Sequence, residues 1–127
     1  MRRRITASGR ADIAEVWERY ADLDRWSDWA PQIRTVDAPE RRLRPGLCGI
    51  VRGPLATAVP FHIDAVDEET PSWTWTVTML GASVQMHHDL TATTKGTTAG
   101  LTLDGPPPIA LGYGPVARVA LTLLCRR

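Results

Sequence analysis

Cysteine is scarce in this chain of 127 residues, since Cys48 and Cys125 are the only two. Neither belongs to a Cys-x-x-Cys pair or to a cysteine–histidine spacing typical of zinc ligands. The sequence therefore predicts neither a disulfide scaffold nor a metal site. Two isolated thiols favour the reducing cytoplasm, which is the localisation we predict.

The chain also lacks an excess of charge of either sign. Lys and Arg total 15 against 14 for Asp and Glu, a net charge of +1. The basic residues are spread out except at Arg2-Arg3-Arg4, which has no apolar stretch behind it and is interpreted as the start of a strand rather than a secretory signal. We therefore predict no nucleic-acid partner. No apolar run approaches the ~20 residues that span a bilayer, so no membrane span is predicted.

Motifs for covalent catalysis and phosphate binding are missing as well. There is no Gly-x-Ser-x-Gly sequence, and neither cysteine has an identifiable base partner. The glycines stand singly at turns and form no phosphate-binding loop. The sequence therefore predicts no cofactor and gives no support to nucleophilic catalysis.

Helical patterns lie near both ends of the chain. From Asp12 to Leu23 the apolar residues recur at helical spacing, and Asp12 followed by Glu15 resembles a capping box. A second short helix is predicted from Asp24, as its cap, to Trp29. At the other end, an apolar stripe follows Pro115, which fits the first turn of a closing helix.

The middle of the chain, from 32 to 104, has the period of two that strands produce. In 73–79, for example, Trp, Trp, Val and Met alternate with three threonines. One apolar and one polar face indicate an antiparallel sheet covered on one side. The predicted fold is α+β: one helix-grip domain over residues 1–127, in which a curved antiparallel sheet wraps around the C-terminal helix, with two short helices after the first strand.

Strand pairing can be predicted because apolar faces must match across each hairpin. A turn at Leu80-Gly81 places His88 opposite Trp73, or opposite Trp75 if the turn is longer. A second turn at Lys95-Gly96 would place Leu103 opposite His88. Both hairpins predict that His88 faces inward beside an indole, as the one ionisable group on that face of the central strands.

Two stretches resemble a known family. Val16-Trp17, followed by Trp26-x-x-Trp29-x-Pro31, is similar to the helix-pair signature of the polyketide cyclase/dehydrase family, which belongs to the START/Bet v 1-like, helix-grip superfamily. The strand Val84–Leu90 resembles a family strand ending in His-x-Leu, and Gly105 matches a glycine before the last helix. The resemblance covers nearly the whole chain and implies the helix-grip fold with a cavity for a small hydrophobic molecule. Family members usually end in a longer helix, so we expect either a short closing helix with an open cavity mouth or a truncated chain.

Within such a cavity, His88 is the first candidate for a catalytic acid or base, and Tyr113, between two glycines, is the second. The alternative for His88 is a structural wall histidine hydrogen-bonded beneath the last helix. The predicted ligand-binding wall consists of aromatic and aliphatic residues that face the concave side of the sheet or its entrance: Trp29, Phe61, Ile63, Trp73, Trp75, Val77, Met86 and Leu103.

Two functions remain open at this stage. The first is binding of a small aromatic or polyketide-like molecule, with or without cyclase, aromatase or dehydratase activity that works by orientation and one proton transfer. The second is a non-enzymatic carrier or sensor of a lipid, quinone or other lipophile. The sequence leaves the ligand undecided and is consistent with a monomer or a homodimer.

Overall fold

A single antiparallel sheet forms the body of the protein, and the computed structural model describes residues 1–127. Its seven strands lie in the order β1-β7-β6-β5-β4-β3-β2. Their bounds are β1 Arg2–Gly9, β2 Thr35–Asp37, β3 Cys48–Arg52, β4 Ala58–Asp67, β5 Ser72–Met79, β6 Ala82–Ala92 and β7 Thr97–Asp104. With the helices that follow, the α+β helix-grip prediction is confirmed.

The first helical region is divided into three short pieces. Helix α1 runs over Ile13–Ala21, a 3₁₀ turn over Leu23–Arg25 and helix α2 over Trp26–Trp29. Asp12 is the N-cap of α1, as predicted, because its carboxylate accepts the N–H of Ala14. The predicted cap at Asp24 is wrong: the preceding Asp22 accepts the Asp24 N–H, and so ends α1 and starts the 3₁₀ turn.

The hairpin between β5 and β6 has the predicted register. Leu80 and Gly81 both have positive φ, as a two-residue hairpin turn of type I′ requires. Trp73 therefore pairs with His88. This register fixes the imidazole on the concave side, next to an indole.

The register predicted for the next hairpin is wrong by two residues. Ala92 pairs with Thr97, so the turn spans the four residues between them rather than Lys95-Gly96 alone. His88 consequently pairs with Leu101, and the expected partner Leu103 lies opposite Met86. Because side chains alternate with period two, this shift leaves every side chain on the predicted face.

The closing helix α3, Pro107–Leu124, begins well before the predicted start at Pro115. Proline inside a helix removes the N–H that the carbonyl four residues earlier, here Leu111, would accept. The Arg3 guanidinium on β1 donates to that carbonyl at 3.2 Å and to the Ala110 carbonyl at 3.4 Å. A side chain at Gly114 would collide with this guanidinium, since its Cβ would lie 2.7 Å from Nη1. Arginine and glycine together keep the helix continuous, so the expectation of a short closing helix is wrong.

Replacing Arg3 by methionine should lower the free energy of unfolding by about 1 kcal/mol, because the Leu111 carbonyl, which has no helical donor opposite Pro115, loses the guanidinium as its donor. The matched control is Arg2→Met, which removes an ion pair to Asp104 whose arginine side chain is 75% exposed and should change stability by under about 0.5 kcal/mol. Urea denaturation followed by circular dichroism measures both. Equal effects of the two substitutions would contradict the stabilising contact with the helix.

The sheet and α3 enclose one hydrophobic core of 30 buried residues, and α3 packs mainly against β1 and β7. Helices α1 and α2 close one side of the space between the sheet and α3. No helix in the structure has the length and apolar character needed to cross a membrane.

Candidate functional site

A cavity of about 270 Å³ lies between the concave face of the sheet and helix α3. Its wall has four parts: α2 with the segment that follows it, the loop from Gly53 to Thr57 with the adjoining strand ends, the central strands and α3. The lining residues are Trp26, Trp29, Gln32, Ile33, Val51, Gly53, Pro54, Thr57, Val59, Trp73, Trp75, Val77, Met79, His88, Leu101, Tyr113, Ala117, Ala120 and Leu121.

The sequence of β5 and the small residues of α3 create this space. Trp73, Trp75 and Val77 alternate with threonines, so they project together from the concave face. On the facing helix, Ala117 and Ala120 are buried and line the cavity. Because alanine ends at Cβ, the helix covers the sheet here without filling the gap.

Parallel aromatic planes form one side of the cavity. The ring of Trp73 stacks on His88, with centroids 4.2 Å apart and planes 9° apart, and on Trp26, at 5.6 Å and 24°. Backbone carbonyls hold the indoles of the helical region, because Trp26 Nε1 donates to the Tyr20 oxygen at 2.8 Å and Trp29 Nε1 to the Arg19 oxygen at 3.0 Å. Flat, fixed faces of this kind suit a flat ligand.

His88 is 6% exposed and faces the cavity side of the sheet, as predicted. Its Nδ1 lies 3.3 Å from the hydroxyl of Tyr20, which comes from α1 and is fully buried. Burial lowers the pKa of His88 to about 3, with a further lowering from His87 and a small opposing effect of Asp89. The imidazole is therefore neutral at physiological pH.

Tyr113 also lines the cavity, on the opposite side from the sheet. Its hydroxyl oxygen accepts a hydrogen bond from Gln32 Nε2 at 3.1 Å. Burial raises the pKa of Tyr113, so the phenol keeps its proton. No other residue of the protein makes a hydrogen bond to this hydroxyl.

Of the eight predicted wall residues, Trp29, Trp73, Trp75 and Val77 line the cavity. The other four, Phe61, Ile63, Met86 and Leu103, project from the same sheet but lie in the surrounding core. The predicted wall did not include Trp26, Gln32, the 53–57 loop or the alanines of α3, all of which line the cavity. Sequence reasoning also missed Tyr20, although this residue belongs to the apolar stripe of α1.

Four buried side-chain atoms in the protein have no hydrogen-bond partner, and all four belong to cavity-lining residues. They are Gln32 Oε1, Trp73 Nε1, Trp75 Nε1 and His88 Nε2. An unpaired buried polar atom costs about 1–3 kcal/mol, so these four residues contain polar groups that the protein leaves unsatisfied, each with under 1 Å² of accessible surface. No group of three or more His, Cys, Asp or Glu is placed to hold a metal ion.

Comparison with known proteins agrees with this architecture. Residues 2–127 match the family described as polyketide cyclase/dehydrase and lipid transport. No curated protein matches the chain. Solved structures similar in fold include a protein from Nitrosospira multiformis (TM-score 0.81, 15% identity), the protein Ara h 8.0201 (0.78, 16%) and a protein from Chromobacterium violaceum (0.74, 13%). In each case the similarity covers 98% of this chain and 94% of the other.

Proposed function

The chain belongs to the polyketide cyclase/dehydrase and lipid transport family within the helix-grip, START/Bet v 1-like superfamily, and we propose that it binds a small planar, aromatic or polyketide-like molecule in its internal cavity. The observation that carries the proposal is the apolar cavity bounded by stacked indoles. Fourteen of its 19 lining residues are hydrophobic.

The size of the cavity supports a small ligand. At about 270 Å³ it lies just below the roughly 300–1,000 Å³ of drug-sized sites. A compound of two or three fused rings suits that volume and would contact the indoles that line it, Trp29 and Trp75 among them. A long unbranched lipid matches the aromatic planes less well, although a lipophile carrier remains the alternative.

Cyclase or dehydratase activity is the second candidate. It is favoured by the presence of His88 and Tyr113, the two titratable side chains in a mostly apolar wall. A pKa of about 3 makes His88 a weak base at neutral pH. Any turnover would therefore depend on folding and orienting the substrate, and on hydrogen bonds to it, more than on proton abstraction by this imidazole.

We also propose that the protein works in the reducing cytoplasm as a monomer or homodimer. Exposed Cys48 and buried Cys125 are both free thiols, which supports that compartment.

Titration with fluorene, a flat tricyclic hydrocarbon, should quench tryptophan fluorescence in a saturable one-to-one manner and raise the melting temperature. Dodecanoate, a single flexible chain, should bind at least tenfold more weakly. The control variant Trp17→Phe removes an indole outside the cavity lining and should leave the quenching intact. Absence of binding by either compound would contradict the cavity proposal, and tighter binding of dodecanoate would favour the lipid carrier.

A further inference from the structure

The outer face of helix α3, on the side away from the cavity, is apolar. Pro108, Leu111, Pro115 and Val119 are exposed there and recur at intervals of three and four residues, which places them in one row along the helix. Leu111 is 52% exposed and Val119 is 53% exposed. These four residues form a surface that we call the α3 stripe.

A surface helix normally carries polar residues on its solvent side. Helix α1 follows this rule, since Glu15, Glu18 and Arg19 form ion pairs there. Of the 18 residues of α3, by contrast, only three have polar side chains, and one of these, Tyr113, lines the cavity. Both the buried and the exposed sides of α3 are therefore mainly apolar, and an exposed apolar surface of this kind marks a site of interaction.

The charged side chains on α3 and after it are all positive. Arg118 lies on the exposed side of the helix, three residues after Pro115, and Arg126 and Arg127 follow the helix. No acidic residue occurs after Asp104. None of these three arginines forms an ion pair, whereas eight other arginines pair with carboxylates. An apolar row flanked by unpaired cations is complementary to a surface that is anionic outside and apolar beneath.

The same features argue against a second copy of this chain as the partner. In a twofold interface the same surface faces itself, so arginines would approach arginines with no carboxylate on the helix to pair with them. A stable protein interface also takes about 800 Å² from each partner, and a single row of four side chains supplies only part of that area. A lipid surface needs no matching area and supplies the missing negative charge.

We infer that the α3 stripe docks the protein on an anionic lipid bilayer. The helix axis lies in the plane of the membrane, with Leu111 and Val119 in the boundary between headgroups and acyl chains and Arg118 against lipid phosphates. Anionic lipids are concentrated in the cytoplasmic leaflet, which agrees with the localisation proposed above. The inference concerns the outside of α3 and does not depend on the identity of the cavity ligand.

Co-sedimentation of the protein with vesicles tests the docking. We expect binding to phosphatidylcholine vesicles that contain about one third phosphatidylglycerol, and binding weaker by about tenfold or more to phosphatidylcholine alone. Raising the ionic strength should weaken the binding to anionic vesicles, because salt screens the arginines. Failure to bind the anionic vesicles, or equal binding to both kinds, would overturn the inference.

The apolar part of the contact is tested by the double substitution Leu111→Ser and Val119→Ser. Both side chains are at the surface, so the variant should keep the wild-type circular dichroism spectrum, whereas its vesicle binding should fall by about tenfold or more. Leu80→Ser is the matched control, because Leu80 is 95% exposed but lies in the turn between β5 and β6. It should bind as the wild type does. A loss in Leu80→Ser as large as in the double variant would indicate general adhesion of exposed leucines and would overturn docking by α3.

The charged part is tested by Arg118→Gln, which should weaken binding to anionic vesicles by about fivefold, the effect of one arginine near such a surface. Arg44→Gln removes the same charge from an arginine paired with Glu40, far from α3 in sequence, and should have little effect. Equal effects of the two substitutions would contradict the role of Arg118. Sedimentation equilibrium without lipid checks the other occupant: a dimer that the double substitution at Leu111 and Val119 dissociates would show that a second copy covers the stripe and would overturn the inference.

Discussion

Lowering the pH from 7 to 5 should reduce the free energy of unfolding by about 2 kcal/mol through His88 alone. The pKa of His88 is about 3 in the folded protein because burial disfavours the charged imidazolium. In the unfolded chain the same group has a pKa of about 6.5. This difference makes His88 the largest single source of acid sensitivity that we expect in the protein.

The sign follows from which state binds the proton. Between about pH 6.5 and pH 3 the unfolded chain is protonated at His88 and the folded protein is not, so acid favours unfolding. The contribution of neutral His88 to the free energy of unfolding is fully present above pH 6.5 and is lost progressively as the pH falls toward 3. Several carboxylates whose pKa is lowered by arginine partners, such as Glu18 beside Arg42, also lose stabilisation in acid. Their pKa values lie below the ordinary carboxylate value, so most of their loss falls at lower pH than the loss due to His88.

Replacement of His88 by phenylalanine should remove this dependence. An aromatic ring retains the stacking on Trp73 but does not titrate. Denaturant unfolding at the two pH values measures how much the free energy of unfolding changes with pH, with His87→Gln as the exposed-histidine control. A pH dependence of the unfolding free energy that is as large in His88→Phe as in the wild type would contradict the buried neutral state. So would an NMR titration that places the His88 pKa near 6.5.

The central hairpins show what sequence periodicity determines and what it leaves open. Matching apolar faces fixed the inward side of His88 correctly, since a one-residue shift would reverse every side chain. Turns of two and of four residues keep the same alternation, so the pattern could not decide between Leu101 and Leu103 as the partner of His88. Face is a property of one strand, whereas exact register depends on the conformation of the turn.

Features that depend on distant parts of the chain could not be predicted. The residues around Pro115 predict a helix start there. Pro115 lies inside the helix because Arg3, over a hundred positions away, donates to the Leu111 carbonyl that the proline leaves without a donor. From the sequence, Tyr20 is one apolar position of a helical stripe. Its hydroxyl contacts His88 only because α1 packs on the sheet.

The same limit applies to the wall of the cavity. Phe61 and Trp75 project from the same sheet face, but only Trp75 borders the space left by the alanines of α3. Which concave residues contact the cavity is decided by the size of the side chains on the facing helix. A strand pattern contains no information about that size.

Those alanines permit a direct steric test. Ala117 is buried, lies in the middle of α3 and lines the cavity. Substitution by phenylalanine places a ring in the space that a ligand would occupy, so we expect the affinity for fluorene to fall at least a hundredfold, equivalent to about 2.7 kcal/mol of binding free energy. Fluorescence titration of the variant measures the loss.

The stability of Ala117→Phe separates a real cavity from tight packing. If the space exists, the ring fills it and the free energy of unfolding should change by less than about 1 kcal/mol; if the site is already packed, the added ring should cost about 1–3 kcal/mol. Val116→Phe, at a position 39% exposed on the same helix, is the matched control and should leave both binding and stability nearly unchanged. Loss of binding with stability retained would locate the ligand between α3 and the indoles of β5, whereas retained binding would place it elsewhere on the protein.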